Sequence, residues 1–129
     1  MIAVDTSALI AIFDREDDSE RYKRAIDDAE ALCIAAPTVL EVTKVVFHRR
    51  GPHGVMQAMA YLEAMLFEVA AFDQQMLEFA EHAVLRFSGA PAKLNYGDCF
   101  AYALAKSRDI PLLFKGSDFL HTDLAAADL

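Results

Sequence analysis

The segment IAVDTSALIAIF, residues 2–13, sets a short apolar run directly before Asp5 and a helix-compatible stretch directly after it. Residues 2–4 read as a strand, and Thr6 or Ser7 can cap a helix that runs to about Phe13. The same switch of period recurs along the chain. Residues 17–30 form a mostly polar helical stretch, and residues 32–35 read as a strand. Pro37 suits the first turn of a helix reaching about Arg50, where Gly51-Pro52 breaks it. Val55, Met56, Met59, Leu62, Met65 and Leu66 fall at helical spacing. Residues 67–72 make a strand candidate and residues 74–87 a long amphipathic helix. Residues 89–97 read as a loop punctuated by Pro91, Asn95 and Gly97. Residues 100–107 are apolar on almost every face, so that helix should be buried. Residues 110–114 give another strand, and a final short one falls near Leu124. This alternation predicts parallel βαβ units between helical layers.

The chain has 129 residues, 55% of them apolar, which suits one domain with a core that needs no disulfide staples. Cys33 and Cys99 form no CxxC pair and fit a reducing compartment. The first residues lack the basic and long apolar regions of a signal peptide, and no apolar run approaches the roughly 20 residues of a membrane span, so a cytoplasmic location is expected. The formal charge of −8 argues against a protein that grips nucleic acid through a basic surface. Many of the acids lie between Asp14 and Glu30 as a solvated helix face, however, and Lys44, His48, Arg49 and Arg50 form a basic stretch. Lys93 and Lys115 each lie a few residues from a notable acid.

Those notable acids are Asp5, Glu41, Asp98 and Asp118, each just beyond an apolar run or near a helix start. In an open parallel sheet, ligands bind beyond the carboxyl ends of the strands. Asp5 and Asp118 follow strands and belong on that edge, which Glu41 and Asp98 can reach from neighbouring helices. Four converging carboxylates repel one another, and a hard divalent cation is the usual remedy. Each also has a plainer explanation. Asp98 and Asp118 could be helix caps, Asp5 a turn residue, and Thr38 with Glu41 has the spacing of a capping box. Capping explains the set less well jointly, because Ser, Thr and Asn serve as caps too, and unpaired buried carboxylates are costly.

VDTSALIAIF, APTVLEV, LNYGDCFAYALA and LLFKGSDFLHTDL, in this order and spacing, resemble the motifs of PIN-domain ribonucleases. Within that family the chain is most similar to VapC-type toxins of bacterial toxin–antitoxin pairs, from Met1 to Leu124. The resemblance implies a single PIN domain over residues 1–129, a three-layer α/β/α fold with a five-stranded parallel sheet. It also implies a metal-dependent endoribonuclease that leaves 5′-phosphate and 3′-hydroxyl ends. By match of motif, Asp5, Glu41, Asp98 and Asp118 are its acids, with Thr6 and Ser7 as supporting hydroxyls and Asp123 as an outer contributor. An oxygen-only set suits Mg²⁺ or Mn²⁺, with Asp5 and Asp98 on the metal and Glu41 and Asp118 on its waters or a second ion. Lys44, His48, Lys93 and Lys115 are candidate RNA contacts. The implied partners are an RNA substrate such as tRNA, a cognate VapB-type antitoxin and a second copy of the chain, with DNA met only through the antitoxin.

Two rivals remain. A receiver-like regulatory domain also carries an acidic Mg²⁺ site, and Lys115 mimics its lysine. Such a domain needs paired acids after the first strand, however, where Asp5 stands alone. It also needs an Asp ending a central strand, where residues 67–72 run into Asp73 among glutamines. A catalytically idle RNA-binding module would keep the fold without needing all four acids. His48, His53, His82 and His121 offer a metal-free acid–base pair only in principle.

Overall fold

The computed structural model describes residues 1–129. Strands β1 (Ile2–Val4), β2 (Leu32–Ala35), β3 (Glu68–Ala70) and β4 (Leu112–Leu113) form one sheet in the order β3-β2-β1-β4, with every pairing parallel. Parallel neighbours require long crossovers. These are supplied by α1 (Thr6–Phe13), α2 (Ser19–Asp28), α3 (Ala36–Ala64), α4 (Gln74–Phe87) and α5 (Tyr96–Arg108).

Side chains alternate along the strands and divide the interior in two. Ala3, Cys33, Ala35, Ala70 and Leu112 face a core built with α4 and α5. Val4, Leu32, Ile34 and Leu113 face the other, built with α1, α2 and α3. The sheet is therefore the middle of three layers, as the alternation predicts. Helix α5 is deeply set: Ala101 through Ala105 are all buried, including Tyr102. No helix is long and apolar enough to cross a membrane.

Several boundaries differ from expectation, each for a local reason. The fifth strand near Leu124 is reduced to one parallel bridge between Leu112 and Ala126, so the sheet has four strands. Strand β4 itself pairs over only two residues, and Pro111 before it has no N–H to offer, which leaves little edge to extend. Asp5, rather than Thr6 or Ser7, caps α1 by accepting from the Ser7 backbone. Helix α5 starts at Tyr96 instead of Phe100, because Asn95 and Asp98 close a reciprocal capping box over residues read as loop. The Thr38–Glu41 capping box does not form; Ala35 precedes α3 without a side-chain cap, and the Glu41 carboxylate is taken by Thr6. The expected break at Gly51-Pro52 does occur: Gly51 (φ 67°, ψ −165°) is non-helical, in a region that glycine tolerates, so the span Ala36–Ala64 is two helical segments meeting at a kink. Arg49 and Arg50 both pair with Asp14 at the end of α1, fastening that bend to the first helix.

Asp123 also has a structural partner set. It accepts a 2.8 Å hydrogen bond from the Tyr102 hydroxyl and pairs with Lys106 at 2.9 Å, tying the C-terminal segment to α5. Replacing Asp123 with Ala leaves a deeply set phenol unsatisfied, at a cost of about 1–3 kcal/mol. Urea unfolding of Asp123→Ala should show that loss; an unchanged midpoint would mean that the tie contributes nothing.

Candidate functional site

The carboxyl edge of β1 leads straight into α1, and Asp5 stands at the junction. Its backbone N–H donates to the Leu113 carbonyl at 2.9 Å, which keeps β1 in register with β4 to the last residue. Its side chain is 3% exposed. One oxygen, Oδ2, accepts from the Ser7 backbone at 3.0 Å and from the Ser7 hydroxyl at 2.6 Å. The other, Oδ1, is buried with no hydrogen-bond partner. Burial pushes the Asp5 carboxyl up to about 6 against the pull of the two Ser7 bonds, and the charges of Asp98 and Glu41 push the same way.

Each neighbouring acid arrives on a different element. Glu41 projects from the second turn of α3, and the Thr6 hydroxyl donates to its Oε1. Asp98 lies in the first turn of α5, where its Oδ2 accepts from the Asn95 backbone at 2.9 Å while its own N–H donates to the Asn95 side chain at 2.9 Å. Burial raises the Asp98 carboxyl from its usual range, and Asp118 and Glu41 add to the rise. Asp118 opens the short 3₁₀ turn Asp118–His121 beyond β4 and is solvent-exposed. Asp5, Glu41 and Asp98 thus lie within one another's fields, and Asp118 acts on Asp98. Thr6 and Ser7 bond to Glu41 and Asp5, and the Ser7 hydroxyl also accepts from the Lys115 backbone at 2.9 Å, tethering the last loop to α1.

Other singled-out residues lie elsewhere. The Lys115 ammonium pairs with Glu16 and Asp18, so it faces the α1–α2 connection. Asp123 is held on the α5 flank by Tyr102 and Lys106. Lys44 and His48 are exposed on α3, one and two turns beyond Glu41, and Lys93 is exposed just before α5. Asp73 follows the edge strand β3 and caps α4 by accepting from Met76 at 2.9 Å, which removes the receiver-like role considered for it. Two residues of the site stand in the sequence only as loop punctuation. Asn95 positions Asp98, and Gly97 lies directly against the Glu41 carboxylate. The Asn-x-x-Asp spacing was the available signal for the first.

The donors are all hard oxygens, which suits Mg²⁺ or Mn²⁺ and not a thiolate- or imidazole-preferring metal. No three carboxylate, imidazole or thiol groups come close enough together to form a cage that could hold a metal ion. Mg²⁺ needs no such cage, because it keeps several waters and takes one or two carboxylates directly. The unpartnered Oδ1 of Asp5 is the atom most in need of such an ion, so the residues fit the group.

A parallel sheet with carboxylates gathered at its carboxyl edge defines a class of small acidic-site α/β domains, and the PIN-domain family model matches residues 2–124. Ribonuclease VapC30 of Mycobacterium tuberculosis is 35% identical over 130 residues, covering 99% of each chain. The sarcin–ricin-loop-cleaving toxin VapC20 of the same organism superposes with a TM-score of 0.81 at 18% identity, over 97% of each chain. A toxin–antitoxin complex from Klebsiella pneumoniae gives a TM-score of 0.75 at 19% identity, covering 95% of this chain and 93% of that one. The chain belongs to the PIN-domain family, among its VapC ribonucleases.

The Asp5 environment makes a signed prediction. Its folded carboxyl titrates near 6 and the unfolded one near 3.8, so the folded state holds the extra proton between those values. Metal-free stability therefore falls as pH rises through that window, by on the order of 3 kcal/mol for this group. Asp5→Asn removes the penalty. In EDTA it should be more stable than the parent at pH 7.5, with the advantage vanishing as pH drops towards 4. Equal stabilities in denaturant melts at pH 7.5 would contradict the assigned burial cost.

Proposed function

We propose that the protein is a Mg²⁺- or Mn²⁺-dependent endoribonuclease toxin that hydrolyses an RNA phosphodiester bond and is neutralised by a small cognate antitoxin. The single observation that carries this is the orphaned, buried Oδ1 of Asp5 beside the opposing charges of Asp98 and Glu41, in a chain related to VapC ribonucleases. Asp5 and Asp98 would hold the ion, with Glu41 and Asp118 accepting from its waters or supporting a second ion. When bound, the metal lowers the pKa of a water and neutralises charge developing on the phosphate.

The protein's own groups do the rest. Ser7 fixes the Asp5 carboxylate through two hydrogen bonds. Asn95 fixes Asp98, and Thr6 fixes Glu41. The N-termini of α1 and α5 open at this edge and favour an anionic phosphate there. None of five surface clefts on the protein includes Asp5, Glu41, Asp98 or Asp118, and Asp118 is exposed, so a backbone crossing the acidic edge suits the site better than a small enclosed ligand. Exposed Lys44, His48 and Lys93 are available to that backbone, and tRNA is a reasonable first substrate. Lys115 is the weakest of the proposed contacts, given its pairing with Glu16 and Asp18.

The partner proposal rests on the outer face of α3. Leu40 and Phe47 are more than half exposed and, with Lys44, Pro52 and Val55, line an apolar groove beginning one residue from Glu41. An antitoxin segment seated there would reach the acidic edge. A second copy would cover further exposed apolar surface, and the net charge of −8 leaves DNA contact to the antitoxin.

With antitoxin-free protein and a small-RNA pool, cleavage should require Mg²⁺ or Mn²⁺ and stop in EDTA. Asp98→Asn should lose at least about a hundredfold in rate, since even supporting groups around a metal are worth 10–100-fold. Cleavage that persists in EDTA, or in Asp98→Asn at the parental rate, would refute the metal-site assignment. Absence of any cleavage by folded protein would favour the RNA-binding module.

A further inference from the structure

Gly97 is second in α5 and sits between Tyr96 and Asp98. Its backbone does not adopt a positive φ, a property confined to Gly51 and Gly116 among the glycines. The helix therefore does not require glycine there, and alanine would be the better helix former. What the absent β-carbon accommodates is the Glu41 carboxylate, the far end of a flexible side chain. A β-carbon placed on Gly97 would stand 2.0 Å from Glu41 Oε2, 2.7 Å from its Cδ and 2.9 Å from Oε1. All three lie below the 3.0 Å that real β-carbons essentially never breach. Gly89 offers the contrast, with nothing within 4 Å of the same construction.

We infer that Gly97 is a positioning residue for the acidic site: its missing β-carbon lets the first turn of α5 close on the Glu41 carboxylate and dictates where that carboxylate points. The Thr6 hydroxyl holds Oε1 while the bare Gly97 backbone makes room for Oε2. Glutamate has one more rotatable bond than the aspartates, so it needs this confinement most. The positive end of α5 favours a carboxylate at that place. The catalytic meaning of this confinement rests on the metal-nuclease proposal; the geometry does not.

Gly97→Ala, Glu41→Ala, the double variant and Gly89→Ala should be compared as purified full chains. Mn²⁺ affinity is read by isothermal titration without RNA, cleavage with RNA, and folding by thermal melting. Gly97→Ala should weaken Mn²⁺ binding and slow cleavage roughly ten- to a hundredfold, with a melting temperature equal to the parent's or higher. Gly89→Ala should match the parent. In the Glu41→Ala background, adding Gly97→Ala should change neither readout, because no carboxylate remains to displace. A crystal structure of Gly97→Ala should show the Glu41 carboxylate withdrawn by about 1 Å or more, the distance between 2.0 and 3.0 Å. An unmoved carboxylate, or an equal loss of affinity with and without Glu41, would overturn the inference. If the parent neither binds Mn²⁺ nor cleaves RNA, the nuclease proposal fails, and the Glu41 position in the crystal still decides the role of Gly97.

Discussion

Mutual repulsion among carboxylates at one edge of the sheet is the constraint around which the rest of this structure is arranged. Asp5 is nearly sealed from solvent, and its charge is opposed by Asp98 and Glu41. Fold stability alone would not select such a cluster, because buried like charges raise one another's pKa and weaken the folded state. Several devices offset the cost. Ser7 donates twice to Asp5, Thr6 donates to Glu41, and the Asn95 backbone donates to Asp98. Two helix N-termini add a favourable field for negative charge. What they leave uncompensated is Asp5 Oδ1, which a proton satisfies at low pH and which the proposed cation would satisfy at neutral pH.

The parallel sheet makes the convergence geometrically available. β1 lies inside the sheet between β2 and β4, so the residue after it emerges where two crossovers begin. α3 starts directly from β2 and brings Glu41 back over the same edge. α5 is the apolar helix packed across the opposite layer, and its capped start brings Asp98 there too. The loop after β4 is tethered through the Lys115 backbone to Ser7, which carries Asp118 within reach of Asp98. The side-chain ends of the same loop, Lys115 and Asp123, are used to fasten the periphery instead.

Much of this was legible in the sequence because the signals are local. Period changes marked the strands and helices, and each acid stood beside its own boundary. Where a feature depended on a distant partner, the sequence was silent. Lys115 lies near Asp118 in the chain, yet its ammonium belongs to Glu16 and Asp18, about a hundred residues earlier. Asp123, expected as an outer contributor to the site, accepts instead from the Tyr102 hydroxyl, 21 residues earlier. Asn95 and Gly97 were read as loop because both are turn formers, whereas here one caps a helix and the other gives way to Glu41. The fifth strand was expected in full and is a single bridge, since β4 offers too short an edge to pair with.

Anomalous diffraction from crystals soaked in Mn²⁺ would test the account most directly, because it locates the ion independently of any RNA. A peak within coordinating distance of Asp5 Oδ1, flanked by Asp98 and accompanied by waters reaching Glu41 and Asp118, is the predicted result. A fully soaked, well-ordered crystal with no peak at Asp5, or with the ion held only by peripheral acids such as Asp123, would contradict it.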